Sequence, residues 1–403
     1  VPKNSPKRRV ETMALNVPQI LPDQALELIK QLYALRLVAR TVPMLHGSPG
    51  IGKSSVVQQA ATELGIRLID RRVAQMPPED LIGLPYRDDI QGVSGYLPPD
   101  WLPRDGSGIL FLDEFLCADS RVQNACLELM RDRRLGNYRL PDGWMVVLAG
   151  NDASHGAATF ALTSAAADRC DHFWVVANAA SWLQGYAMVN NIHPAVRTFL
   201  KVCPHRIDTI EERVRADNIA GCSPRGWEKV SHYLNHFPAG TLRDIAIAGV
   251  IGQEVATDFK QVLIEIEAYA PVREIMAEND PARRVTMLPR SLNGLWALAF
   301  GLQSEAIDVE TTRRALAVSL DIPKIKLDEE TGILPLAEIQ RLAHELLMAK
   351  IPVLKISLKM ISTPEYRAST EWWRSVQQAH ANQASGSQPA DATGLAGYAG
   401  EAA

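Results

Sequence analysis

The chain has 403 residues, 47% hydrophobic and 22% charged, with a formal net charge of −4. This is ordinary soluble globular composition, long enough for two domains and a smaller third piece, and it carries no global nucleic-acid footprint. Five scattered cysteines (Cys117, Cys126, Cys170, Cys203, Cys222) without a C-x-x-C argue against a disulfide framework or a zinc ribbon and fit a reducing cytoplasm; no apolar run approaches the roughly 20 residues of a membrane span.

In chain order, residues 1–19 read as a loose, flexible arm; Lys3, Lys7, Arg8 and Arg9 are followed by no apolar stretch, so they are not a secretory signal. A helix starts with Asp23 as its cap, since Leu26, Ile29, Leu32, Tyr33 and Leu35 recur at helical spacing. A short apolar strand at 42–45 leads into H-G-S-P-G-I-G-K-S-S at 46–55, and residues 54–64 have helix-forming content. Residues 66–73 alternate like a second strand, whereas 76–108 are rich in Pro and Gly and read as a long irregular excursion, which in a compact domain is usually functional. Order returns with I-L-F-L-D-E at 109–114, an apolar strand ending in two acids. An amphipathic helix follows from a Ser120 cap to about Arg131, carrying Val122, Ala125, Cys126, Leu129 and Met130 on one stripe. Residues 133–144 have hairpin character with Gly136-Asn137 at the turn, 145–149 form another buried strand ending in Gly150-Asn151, and 173–176 a fifth. Beyond residue 181 the pattern is helical, with segments expected at 194–202, 224–237, 241–254, 259–268, 292–302, 309–319 and 336–349; residues 352–361 fit helix or strand, and 382–403 have the composition of a disordered tail.

The chemistry concentrates in G-x-x-x-x-G-K-S. Gly47, Gly50 and Gly52 let the backbone curl so that N–H groups of the loop (Ser48, Pro49, Ile51 and Ser55 complete it) converge on a phosphate; Lys53 reaches the β/γ-phosphates and the Ser54 hydroxyl ligates Mg²⁺. The following helix adds its positive end. The bare pattern arises by chance in on the order of one per cent of chains this long; the alternative is a Gly-rich turn before an amphipathic helix. Asp113 and Glu114 suit a Mg²⁺ shell and the polarising of an attacking water, or else a strand ending in solvated acids. Asn151 suits a γ-phosphate or lytic-water contact, or a plain cap. Arg169 suits an arginine finger reaching a neighbouring subunit, or an ion pair with Asp168 or Asp171. Arg225, beside Pro224 at a helix start, suits a contact to nucleotide, or is a surface arginine. Arg131, Arg133, Arg134 and Arg139 could grip nucleic acid or an acidic segment, or be solvated. His232 and His236 are four apart but have no evident third ligand, so no metal site is read from them.

Taken together, G-S-P-G-I-G-K-S, L-F-L-D-E, L-A-G-N, the A-x-x-x-R run ending at Arg169 and S-P-R-G-W resemble, in order, Walker A, Walker B, sensor 1, arginine finger and sensor 2 of AAA+ ATPases. M-P-P-E-D-L-I-G-L-P, G-Y-L-P-P-D-W-L-P and R-D-R-R-L-G-N-Y-R-L-P-D-G look like the MoxR-type, dynein-related branch, over residues 20–235. Cys170 departs from the aromatic that the family usually has after the finger. The resemblance implies an α/β fold: an AAA+ P-loop αβα sandwich with a five-stranded parallel sheet (20–178), an all-helical lid (179–320), a C-terminal extension (321–381) and a tail (382–403). It also implies that 77–100 contain a helix-2 insertion and 133–140 a presensor hairpin. The function implied is a ring, typically a hexamer, binding ATP and Mg²⁺ and using hydrolysis to remodel or mature a protein client with a von Willebrand factor A-domain partner. The alternatives are a DNA- or RNA-associated motor of the same class, or a nucleotide-gated scaffold. Glu114, Asn151, Arg169 and Arg225 would be its catalytic residues, and Ser54 and Asp113 its metal ligands.

Overall fold

The computed structural model describes residues 17–90, 92–151, 162, 164–326 and 334–385. Its contacts divide the chain into two compact units, one up to Leu263 and one from Ile264.

The first unit is built on a parallel sheet. In chain order its elements are β1 (Gln19–Ile20), α1 (Pro22–Leu35), β2 (Pro43–His46), α2 (Lys53–Leu64), β3 (Arg67–Arg72), α3 (Pro78–Ile82), β4 (Leu84–Asp88), β5 (Val93–Leu97), β6 (Ser107–Asp113), α4 (Ser120–Asp132), β7 (Arg134–Leu135), β8 (Tyr138–Arg139), β9 (Gly143–Gly150), α5 (Ser164–Ala167) and β10 (Asp171–Val175). The sheet order is β1-β10-β2-β9-β6-β3, every pair parallel. The five expected strands are all there; β1 adds a sixth at the edge, too short for a period to show in the sequence.

Strand alternation explains the layers. Leu110 and Leu112 of β6 join Met44, Val146 and Leu148 on one face, where α4 supplies Val122, Cys126, Leu129 and Met130. Ile109 and Phe111 join Leu45, Met145 and Val147 on the other, covered by Ile29 and Tyr33 of α1 and Val57, Ala60 and Ala61 of α2. A strand apolar on both faces is what a helix-sandwiched parallel sheet requires. Each large side chain so buried contributes roughly 1.5–3 kcal/mol.

Several local expectations shift. Helix α1 starts two residues earlier than expected, at Pro22, with Leu21 rather than Asp23 as its N-cap and Asp23 in the first turn. Asp119, not Ser120, caps α4, its carboxylate accepting the Arg121 N–H at 2.8 Å. The excursion at 76–108 is not structureless: it folds α3 and the antiparallel hairpin β4–β5. The remaining helices of this unit are α6 (Ala179–Gln184), α7 (Tyr186–Val189), α8 (Pro194–Val202), α9 (Ile210–Arg215), α10 (Pro224–His236), α11 (Thr241–Ile251) and α12 (Gln253–Glu267), the last running past the division. The single helix expected at 241–254 breaks at Gly252, whose φ of 86° ends α11. Phe199, Trp227 and Phe259 meet pairwise in tilted and edge-to-face contacts at centroid distances of 5.3, 5.4 and 5.7 Å and tie α8, α10 and α12 together.

The second unit is helical among its described residues: α13 (Val272–Ala277), α14 (Pro281–Met287), α15 (Leu292–Glu305), α16 (Val309–Asp321), α17 (Leu336–Val353), α18 (Ser357–Met360) and α19 (Pro364–Ser385). Residues 352–361 are therefore helix and turn, and α19 continues past residue 382; the tail expectation for 386–403 lies outside the described residues. No helix of the described residues is long and apolar enough to cross a membrane.

His344 on α17 is buried, its Nδ1 within 2.7 Å of Ser369 Oγ and its ring stacked 5.0 Å from that of Trp373. Burial pushes its pKa from 6.5 down to about 4. The fold therefore favours neutral His344: that contribution is complete above pH 6.5, where the unfolded histidine is neutral too, and is lost as pH falls toward 4. Between pH 8 and pH 5 the loss should be about 2 kcal/mol. Urea unfolding of His344→Phe should show a correspondingly shallower decline over that range, and an unchanged decline would dismiss the histidine as its source.

Candidate nucleotide site

The C-terminal ends of β2, β6 and β9 lie side by side in the sheet, and the loop 47–52 runs from β2 into α2 there. Ligands of open parallel sheets bind at this edge. Gly47 has φ 143°, and a Cβ on it would lie 2.5 Å from Val175 O; Gly50 has φ 83° and would bring a Cβ to 3.0 Å from Ser223 Oγ. Only glycine fits both places without displacing a neighbouring chain.

Lys53, the first residue of α2, is buried, and its ammonium donates to Gly47 O (2.8 Å), Ser48 O (2.9 Å) and Asn151 Oδ1 (2.8 Å). The lysine thus holds the loop against the end of β9. Burial pushes its pKa down to about 8; the Arg225 charge pushes the same way, against Asp113 and Asp208. Anionic phosphate beside it would restore the charged form.

Ser54 Oγ donates to Asp113 Oδ2 at 2.8 Å, and Asp113 Oδ1 accepts the Glu114 N–H at 2.8 Å. A hydroxyl and a carboxylate in contact at the sheet edge are the hard oxygen donors that Mg²⁺ takes, so Ser54 and Asp113 fit the ion. Glu114 follows in the left-handed region, with φ 58°. This conformation costs a non-glycine residue on the order of 1–2 kcal/mol, and such strain gathers at functional positions. Three residues on, burial and the Glu114 and Asp113 charges push the Cys117 thiol pKa above its ordinary value.

Helix α10 meets the loop from the other side. Ser223 Oγ caps it through the Gly226 N–H, and the Arg225 N–H donates to Gly50 O at 3.2 Å. The Arg225 side chain is exposed, close enough to Lys53 for its charge to act there. Arg169 stands apart, two residues beyond α5. It folds back so that Nη1 donates to Ala165 O, while its buried Nε has no hydrogen-bond partner among the described residues. Neither Asp168 nor Asp171 pairs with it in the described ion pairs, so the intrachain ion-pair alternative has no support there.

Two features escaped the sequence reading. One is a cavity of about 440 Å³ lined by Ser48 and Ile51 of the loop, Trp174 of β10, Asn178 just beyond it, and His205 and Asp208 before α9. It lies within the ~300–1,000 Å³ of small-molecule sites. Apart from Ser48 and Ile51, these lining residues belong to no motif. The other is the inward turn of Arg133: in the left-handed region, it donates from Nη2 to Pro141 O (2.7 Å) and Trp144 O (2.9 Å). It closes the β7–β8 hairpin and leaves Arg131, Arg134 and Arg139 as the exposed arginines. His236 Nδ1 lies 2.8 Å from His232 O, and no cluster suited to a metal ion forms among the described residues.

No protein-family profile matches the chain, and no curated protein does. Among solved structures it is similar to a candidate ATPase from Cytophaga hutchinsonii (15% identity, covering 78% of this chain and 88% of that one, TM-score 0.31). It is also similar to NtrX from Brucella abortus in complex with ADP (15%, 80% and 68%, 0.32) and to the Thermotoga maritima RuvB Holliday junction branch migration motor (15%, 75% and 76%, 0.30).

Proposed function

We propose that this chain is an AAA+ ATPase of the MoxR type, acting as a homo-oligomeric ring that couples ATP hydrolysis to remodelling of a protein client. One observation carries the reading: Lys53, Asn151, Ser54 and Asp113, from three separate parallel strands and their loops, are joined by hydrogen bonds of 2.8 Å at the sheet edge. A nucleotide would set its triphosphate against the loop, where Lys53 and Arg225 would neutralise it, and the adjoining cavity has room for its base. Bound Mg²⁺, held by Ser54 and Asp113, supplies charge neutralisation at the phosphates. Glu114 orients and deprotonates the attacking water, Asn151 fixes the water or the γ-phosphate, and Arg169 acts on the nucleotide of the neighbouring copy. The helices around α10 and α11 serve as the lid.

The client side is read from the two hairpins. A Cβ on Gly95 of β5 would meet the Asn137 amide at 2.5 Å, so the β4–β5 and β7–β8 hairpins pack together. Leu84, Val93 and Leu97 are exposed on the first, the hairpin of the helix-2 insertion in this reading. A von Willebrand factor A-domain protein is the partner class that the family resemblance favours. The exposed Arg131, Arg134 and Arg139 motivate a second reading, a motor on DNA or RNA, in which salt-sensitive nucleic-acid stimulation of hydrolysis is expected.

Phosphate release from ATP with Mg²⁺, measured across protein concentration beside light scattering, tests the first reading. Specific activity should rise with the oligomer fraction. Full activity in a purely monomeric sample would reject the shared site, and stimulation by DNA that declines with salt would favour the second reading.

A further inference from the structure

Two histidines join the phosphate loop to the turn that carries Arg169. In the parallel register of β2 and β10, His46 lies opposite Trp174 and His172 opposite Met44. All four therefore share one sheet face. His46 is buried immediately before Gly47, its ring stacked on Trp174 with a 4° angle between the planes. His46 Nε2 lies 2.8 Å from His172 Nδ1, and His172 Nε2 lies 3.0 Å from Ala167 O. A carbonyl oxygen only accepts, so His172 Nε2 carries the hydrogen; the neutral ring then presents a bare Nδ1, and His46 Nε2 donates to it. The chain of bonds ends on the last residue of α5. Ala165 O of the same short helix accepts from Arg169, and Ala166 O accepts the Arg169 N–H at 3.2 Å. A four-residue helix has little stability of its own, so what holds its carbonyl end sets where Arg169 starts from.

We propose that His46 and His172 are positioning residues that orient the Arg169 turn from the root of the phosphate loop, so that each subunit's loop governs the finger it offers to its neighbour. The proposal rests on the reading of Arg169 as acting in trans. Among the described residues, the His172 ring bonds to His46 and Ala167, and the Lys53 ammonium bonds elsewhere. Losing His172 should therefore spare nucleotide binding and slow the chemistry at the next subunit's site. A sub-ångström to 1 Å misplacement of a reacting group costs up to roughly 100-fold.

The test is hydrolysis by the full chain, alone and in mixed rings. His172→Ala should keep the nucleotide Kd within twofold and lose at least tenfold in kcat. Mixed with Glu114→Gln, whose own site is inactive but whose finger is intact, it should regain activity, because the His172→Ala sites then receive sound fingers. Arg169→Ala mixed with Glu114→Gln is the reference. If the reference pair recovers and the His172→Ala pair does not, the histidines serve their own site and the proposal fails. If the reference pair shows no recovery, the trans reading of Arg169 fails, and the proposal with it. Wild-type kcat in His172→Ala also overturns it. Should that variant be unstable, His172→Gln, which keeps a donor near Nε2 for Ala167 O, should retain most of the kcat, whereas His172→Asn, which keeps only an atom near Nδ1, should not; equal rates in these two would reject the role.

Discussion

Glu114→Gln should bind ATP as the wild type does and hydrolyse it at least 100-fold more slowly. Amide for carboxylate preserves size and leaves the backbone contact between the Glu114 N–H and Asp113 in place. It leaves Lys53, Ser54 and the loop untouched, so the groups that hold phosphate stay as they are. What it removes is the base. Positioned general-base catalysis is worth about 10²–10⁴ in rate, and the left-handed backbone at Glu114 is a conformation kept at a cost, as expected of a residue placed for chemistry rather than packing. Fluorescent-nucleotide binding and steady-state phosphate release measured on the same preparation check both halves. Turnover within threefold of wild type would remove Glu114 from the mechanism.

Arg169→Ala should lose on the order of 10³-fold in kcat in the assembled protein, the lower end of what a missing arginine finger costs, with little change in nucleotide affinity. The residue has no described bond to the loop, Asp113 or Asn151, and its one described side-chain contact is the fold-back onto Ala165 O. A purely structural arginine would reveal itself by a fall in thermal stability and by activity that no mixing restores. Recovery when subunits with an intact finger are added is the outcome that separates the two, since it requires a site made of two copies.

The candidate residues Lys53, Ser54, Asp113, Glu114 and Asn151 were legible in the sequence because each follows an apolar strand. Apolar strands ended abruptly at the glycine-rich loop that leads to Lys53-Ser54, at Asp113-Glu114 and at Asn151, and parallel strands buried on both faces make such ends conspicuous. The layers followed from the same runs. The β4–β5 hairpin was hidden because Pro85 and Gly95 interrupt the alternation that announces a strand. The cap at Leu21 was hidden because it has no capping side chain of the usual kind, and Asp23 supplied a stronger but misplaced signal. The His46–His172 bond could not be read at all: the two are 126 positions apart, and only the adjacency of β2 and β10 brings them together. Arg133 was misread for a related reason. A run of arginines suggests a surface grip, but one left-handed residue at the end of α4 reverses that side chain into the backbone.

The three bonds of the Lys53 ammonium bear on selectivity among anions. Gly47 O, Ser48 O and Asn151 Oδ1 all accept from it, so an anion that takes the ammonium must compete with those bonds. A chain of phosphates can occupy the loop amides and the ammonium together, and in taking the ammonium it frees the Asn151 carbonyl at the end of β9. Occupancy would thus register as an amide released at the sheet edge, a signal available only to a ligand long enough to trigger the exchange.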